Sequence, residues 1–268
     1  MGRAVDTIGA FSTQAGAGAF PQALAAFPGD SLITRGTVSE SKARLNAILY
    51  QSNATGQEMR LISPLLHDNV TGITIVPGEN PALFALPTEA SIEINEQDTL
   101  TLQGSCAGAF TITAGLVIDY DNVRGTSADL YRWGDIGPDI RSVKVVQVAL
   151  NAIAVGAWTD TLITASENQL HADRSYAVLG YDVAPALCMV GIKGVATGNL
   201  RMCGPGSTAS VDVSDYFVQM GEKHQRSYIP VFQANDRNAF FVSAANGAAV
   251  GGGAATVSLI VAELKSKK

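Results

Sequence analysis

The side chains that could carry chemistry are few and scattered along the chain. His67, His171 and His224 are the only histidines. His67-Asp68 and His171 with Asp173 each set a carboxylate near an imidazole, the pairing that tunes a general base, but such pairs are common in loops and these read as structural or surface residues. Cys106, Cys188 and Cys203 show no CxxC or Cys/His spacing, so they imply neither a disulfide framework nor a zinc site and read as small buried apolar residues. Asp119 and Asp121 with Asn122 offer the oxygen ligands that calcium takes. Val123 and Arg124 stand where a calcium loop of the EF-hand type needs an oxygen ligand and a glycine, so a solvated turn is expected. Asp212 and Asp215 are expected to border a turn before Tyr216 and Phe217. Asn53-Ala54-Thr55 and Asn69-Val70-Thr71 match the glycosylation triplet, read as accidental because no secretory signal is recognisable.

Common catalytic constellations fail on residue type or spacing. There is no GxxxxGK[ST] phosphate loop, no HExxH helix and no GxSxG elbow, and Gly247–Gly253 lacks the strand-to-helix context of a dinucleotide fingerprint. A metal-dependent enzyme on a cupin-like roll would need a compact His/Glu cluster, which three dispersed histidines do not supply. Sugar-binding modules stack their ligand on exposed rings, and Trp133, Trp158 and Tyr181 are the candidates here, each equally readable as core or interface. No catalytic, cofactor-binding or metal-binding residue is assigned, and the chain is expected not to be an enzyme.

The elements that would position any site are almost all strands. Short runs broken by Gly, Pro, Asn and Asp cover Ser31–Thr37, Leu45–Tyr50, Glu58–Ser63, Gly72–Val76, Ala90–Asn95, Thr99–Gln103 and Ala109–Tyr120. In the last, Phe110, Ile112, Ala114, Leu116, Ile118 and Tyr120 alternate with Thr111, Thr113 and Asp119, the period of a sheet with one buried side. A second series runs through Val143–Ala154, Asp160–Ala165, Ser175–Val183, Ala186–Val195, Asn199–Cys203, Ser227–Phe232, Ala239–Ala244 and Ala255–Leu264. Between them, the turn-rich stretch 124–140 reads as a packed linker, with one helical turn expected at Ser127–Arg132. Residues 1–30, rich in Ala and Gly, read as a flexible N-terminal arm whose Phe11, Phe20 and Phe27 meet a neighbouring subunit. Alternatively the arm packs on its own domain with a short helix at Pro21–Ala26.

Sliding the sequence by 143 residues places Pro87 on Pro230, Asn95 on Asn238, Gly104 on Gly247 and Leu116 on Leu259, and aligns a shared order of strand, turn and long strand. The preferred division is therefore an arm (1–30), two β-sandwich domains (31–123 and 141–268) and a linker (124–140). Hydrophobic residues make up 47% and charged residues 16%, light on charge for a fully wetted surface, so part of that surface is expected to meet another subunit. The net charge is −6 with acidic and basic residues interspersed, which argues against a groove for nucleic acid. No apolar run is long enough to cross a bilayer as a helix.

A strand-only body, small-residue turns, low charge and an apparent duplication resemble viral capsid proteins of the jelly-roll type. In length and repetition the chain is similar to the smaller double jelly-roll major capsid proteins of tailless bacteriophages. The strands Val143–Ala154, Ser175–Val195, Ser227–Phe232, Ala239–Ala244 and Ala255–Leu264, echoed in 31–120, carry the resemblance. It implies an all-β antiparallel sandwich of jelly-roll type, as two tandem rolls or as one roll with an N-terminal extension. It also implies a bacteriophage virion structural protein, made in the host cytoplasm, that self-assembles as a homo-oligomer such as a trimer and meets other virion proteins, with no cofactor, no direct nucleic-acid contact and no membrane span. The alternatives are a receptor- or carbohydrate-binding β module of a tail or spike, and an enzyme on a β-sandwich.

Overall fold

The computed structural model describes residues 3–14, 18–37, 43–53, 58–64, 72–76, 82–86, 92–106, 108–163, 170–171, 173–185, 187–206, 212–235, 240–247 and 251–265. It is an all-β structure of antiparallel sheets packed as sandwiches. The first sandwich comprises β1 (Ala4–Gln14), β2 (Gly18–Ala23), β3 (Ala25–Ala26), β4 (Ala43–Ser52), β5 (Glu58–Ile62), β6 (Ile73–Ile75), β7 (Ala82–Ala85), β8 (Ile92–Ile94), β9 (Thr101–Cys106) and β10 (Phe110–Tyr120). One of its sheets runs β3-β1-β10-β4-β7 with β8 also on β4, and the other runs β2-β9-β5-β6.

The second sandwich comprises β11 (Leu130–Tyr131), β12 (Ile140–Ala149), β13 (Thr159–Leu162), β14 (Ser175–Ala184), β15 (Met189–Gly194), β16 (Arg201–Pro205), β17 (Ile229–Gln233), β18 (Phe240–Ala245) and β19 (Thr256–Leu264). Its sheets run β11-β17-β14-β19-β12 and β13-β18-β15-β16. Two short helices complete the described residues, α1 (Trp133–Ile136) and α2 (Tyr216–Lys223).

The two strand orders share their central part, while β3 beside β1 and β11 beside β17 have no counterpart. One sheet of the first half contains β1-β10-β4 and one of the second β12-β19-β14, and the opposing sheets read β2-β9-β5-β6 and β13-β18-β15-β16. Leu116 pairs with Ile8 and Ile48, and Leu259 with Val146 and Tyr181, so the residues aligned by the 143-residue shift occupy equivalent inward positions.

Three expectations are corrected. The stretch read as an N-terminal arm is part of the first sandwich: all eleven residues of β1 pair with β10, and Phe27 is 1% exposed. A Cβ on Gly9 would lie 2.3 Å from the Phe27 ring, so the glycines read as costly for folding are what allow the ring to lie against the strand. No helix forms at Pro21–Ala26, which is divided between β2 and β3. Second, Ser31–Thr37 is not a strand but touches its neighbours through isolated bridges at Ile33 and Thr37. Third, the helix expected at Ser127–Arg132 lies instead at Trp133–Ile136, while α2 forms where only a turn was expected. Tyr216 and Phe217 at its start are buried against Tyr181, with ring centroids 6.0 and 6.1 Å away. Burying three large rings rewards a helix that eight residues could not sustain alone.

Candidate functional site

The strand expected to have one buried side has two. On β10, Ile112, Leu116 and Ile118 face the first core, while Thr113, Val117 and Asp119 on the opposite face are each 0% exposed. The second sandwich covers that face. Val5, Phe27, Ala47, Leu49 and Val117 join the same apolar cluster as Met189, Met202 and Cys203. A Cβ on Gly115 would lie 2.2 Å from the Met189 sulfur, so glycine is what permits this approach. Backbone and side chain interlock as well: the Cys203 N–H donates to Thr7 Oγ1 at 3.0 Å, and the Cys188 thiol donates to the Thr113 carbonyl at 3.6 Å.

Charged groups close the joint at two places. At one, Asp119 accepts from Arg3 and, at 3.2 Å, from Arg226 of the second half, which also reaches Asp121 at 2.7 Å; Arg44 adds a contact to Asp121 at 3.6 Å. Arg3 spans the joint in the other direction, donating to the Ser227 carbonyl at 2.8 Å. The carboxylates weighed as calcium ligands are thus engaged by three guanidiniums, whose charge opposes a cation there. At the second place, Asp30 accepts from Trp158 Nε1 at 2.6 Å and from the Gly9 N–H at 2.7 Å. Arg201 lies over the Trp158 ring at 5.1 Å and bonds Asp160 at 2.8 Å, and Phe27 meets Trp158 edge-on at 5.5 Å. Burial works to raise the Asp160 carboxyl, but the Ser243 hydroxyl together with Arg201 and Lys193 outweighs it and holds the group below the usual carboxylate range.

The face that is covered in the first half is left exposed in the second along β12, while Ala262 beside it is 0% exposed and α2 packs on β14. Registers make Val117, flanked by Thr7 and Ala47, the counterpart of Ile260, flanked by Val145 and Gly180, and they make Val5 the counterpart of Val143. Val5 is 1% exposed and Val117 0%, whereas Val143 is 56% and Val145 52% exposed on edge strand β12, with Ile260 half-buried beside them. The element that covers the first face, β16, has β6 as its counterpart; Val76, just beyond β6, is 67% exposed. Charge is divided unevenly between the halves. Residues 1–123 contain twelve Asp/Glu against five Lys/Arg, and residues 124–268 twelve against thirteen.

The remaining sequence candidates do not converge. His67, Asp68 and Asn69-Val70-Thr71 lie outside the described residues, as do Ala54 and Thr55, and of the Cys106 side chain nothing is described. His171 is on the surface of the second sandwich. His224 is 6% exposed, and burial, reinforced by the charges of Lys223 and Arg3, pushes its imidazole down to about 4. Cys188 and Cys203 are free thiols, both buried, and burial pushes both well above the usual thiol range. Asp212 and Asp215 flank the start of α2, where Asp212 accepts from the Ser214 N–H at 2.9 Å. Tyr181 is fully buried and Trp158 belongs to the joint; Trp133, 38% exposed, lines with Arg132, Glu222 and Gln225 a cavity of about 400 Å³. Among the described residues no cluster of three or more His, Cys, Asp or Glu could hold a metal ion, and no helix is long and apolar enough to cross a membrane. No sequence signal marked the joint, because its partners stand far apart in the chain, 75 residues for Cys188 and Thr113 and 107 for Arg226 and Asp119. The chain matches no protein-family model and no curated protein.

Proposed function

We propose that this chain is a virion structural protein, a capsid subunit whose two sandwiches are tandem jelly rolls and which assembles with copies of itself. The single observation that supports this is the half-used joint. One sheet face of the first half is covered by the second half, and the register-equivalent face of the second half leaves Val143 and Val145 exposed along its β12 edge. A second copy fits that face by presenting its own β6 edge as β16 does inside the chain. Such a contact is heterologous, head to tail, and a repeated head-to-tail contact closes into a ring when its rotation permits, with a trimer giving six sandwiches around one axis. Among the described residues no strand pairs with the outer edge of β12, where Val143 and Val145 are exposed.

Charge favours this direction of assembly. A first half with seven more acidic than basic residues meets its like less readily than it meets a second half with one more basic than acidic. Sedimentation and electron microscopy of the purified protein test the reading: rings or shells of defined stoichiometry are expected. A monomer that persists at high concentration overturns it.

A further inference from the structure

The strand ends at one pole of the second sandwich leave a cavity of about 730 Å³ lined by Arg141, Lys144, His171, Asp173 and Arg174 around Glu263. Glu263 is 3% exposed and accepts from Lys144 Nζ at 2.8 Å, which, ahead of the charge of Arg141, holds its carboxyl below the usual range. The two arginines stand further off, Arg141 Nη1 at 3.7 Å and Arg174 Nε at 3.8 Å from the same oxygen. Neither guanidinium makes a side-chain hydrogen bond to a protein acceptor among the described residues. With five N–H donors in each fork, both present unspent donors to the cavity, and three cations there face two carboxylates.

Nothing in the fold requires this opening, as the first half shows. By register Lys144 corresponds to Asp6 and Glu263 to Tyr120. There the Arg35 side chain bonds Asp6 at 2.6 Å, its backbone N–H donates to the Tyr120 hydroxyl at 3.2 Å, and Thr37 bridges to Val123, so the equivalent end is closed by the chain itself. In the second half the basic residues stand around an open volume of the size that ligand pockets occupy.

We propose that this pocket binds a phosphate-type oxyanion, free or as a small phosphate monoester. Arg141 and Arg174 grip its oxygens with their planar forks, and Lys144, anchored on Glu263, supplies a third charge. Paired guanidinium donors match phosphate oxygens in geometry as well as charge, and the volume leaves room for an ester substituent beyond the phosphate. The site lies within one chain, so its occupancy does not depend on assembly.

Calorimetric titration with inorganic phosphate, at ionic strength held constant with chloride, tests this. Saturable binding with Kd of about 1 mM or tighter is expected. Arg141→Gln/Arg174→Gln, at side chains 55% and 37% exposed, should weaken it at least tenfold while the phosphate-free variant still unfolds in one cooperative transition. Arg141→Lys/Arg174→Lys, which keeps charge but loses the forks, should fall between. Glycerol 3-phosphate and adenosine monophosphate distinguish the sources: tighter binding than inorganic phosphate identifies an ester as the ligand, and equal or weaker binding identifies the free anion. Heat indistinguishable from a chloride blank, or a double glutamine variant that binds phosphate as the parent does, overturns the proposal.

Discussion

Replacing Val143 and Val145 with aspartate should abolish assembly while sparing the fold. The two valines are 56% and 52% exposed on edge strand β12, so the isolated chain gains little by burying them. A valine offers roughly 150 Å² to water in an extended chain, which leaves about 80 Å² of each to be covered by a neighbour. At about 25 cal/mol per Å², the pair contributes on the order of 4 kcal/mol to each contact, before the cost of placing two carboxylates in an apolar joint. Every 1.4 kcal/mol is about tenfold in an equilibrium constant, so Val143→Asp/Val145→Asp should raise the dissociation constant roughly a thousandfold. Sedimentation velocity across a concentration series reads this directly, and thermal denaturation of the monomeric fraction checks that the fold survives. The counterpart substitution Val117→Asp, at 0% exposure inside the chain, should instead compromise folding itself. If the double variant assembles at the concentration of the parent protein, the equivalence between the covered and the open face is wrong as a guide to association.

Gly115→Val should strain the joint, because even its Cβ would lie 2.2 Å from the Met189 sulfur; a loss of about 1–3 kcal/mol is expected by denaturant titration, and a neutral result would mean that the Met189 side chain swings aside. Stability should decline on acidification between about pH 6.5 and pH 4. Burial depresses the His224 imidazole to about 4 in the folded chain, so the unfolded chain binds the extra proton across that window, with a slope of at most about 1.4 kcal/mol per pH unit. His224→Gln should remove that part of the slope, as urea midpoints at several pH values would record. Cys188 and Cys203, buried with thiols pushed upward, should resist a thiol reagent in the native protein and react on unfolding; fast native labelling of either, located by peptide mapping, would contradict their placement in the joint.

Strand content was open to sequence reading because side-chain alternation and turn residues act locally. The runs at Glu58–Ser63, Ser175–Val183 and Ala255–Leu264 coincide closely with β5, β14 and β19. The matching place of Leu116 and Leu259 was legible, since both lie on a long central strand that must be apolar on its inward side. Where one element is covered twice, alternation fails. Strand β1 is buried against the first core through Ala4, Ile8 and Ala10 and against the second sandwich through Val5, so Ala and Gly replace any apolar-polar rhythm, and the segment resembled a tail. Tertiary structure alone decided the joint. Arg226 finds Asp119 and Trp158 finds Asp30 across 107 and 128 residues of chain, and no local pattern encodes a partner at that distance. The open face around Val143, Val145 and Ile260 was equally hidden, because an exposed apolar residue and a buried one are written with the same letter, and only the position of the neighbouring sandwich tells them apart.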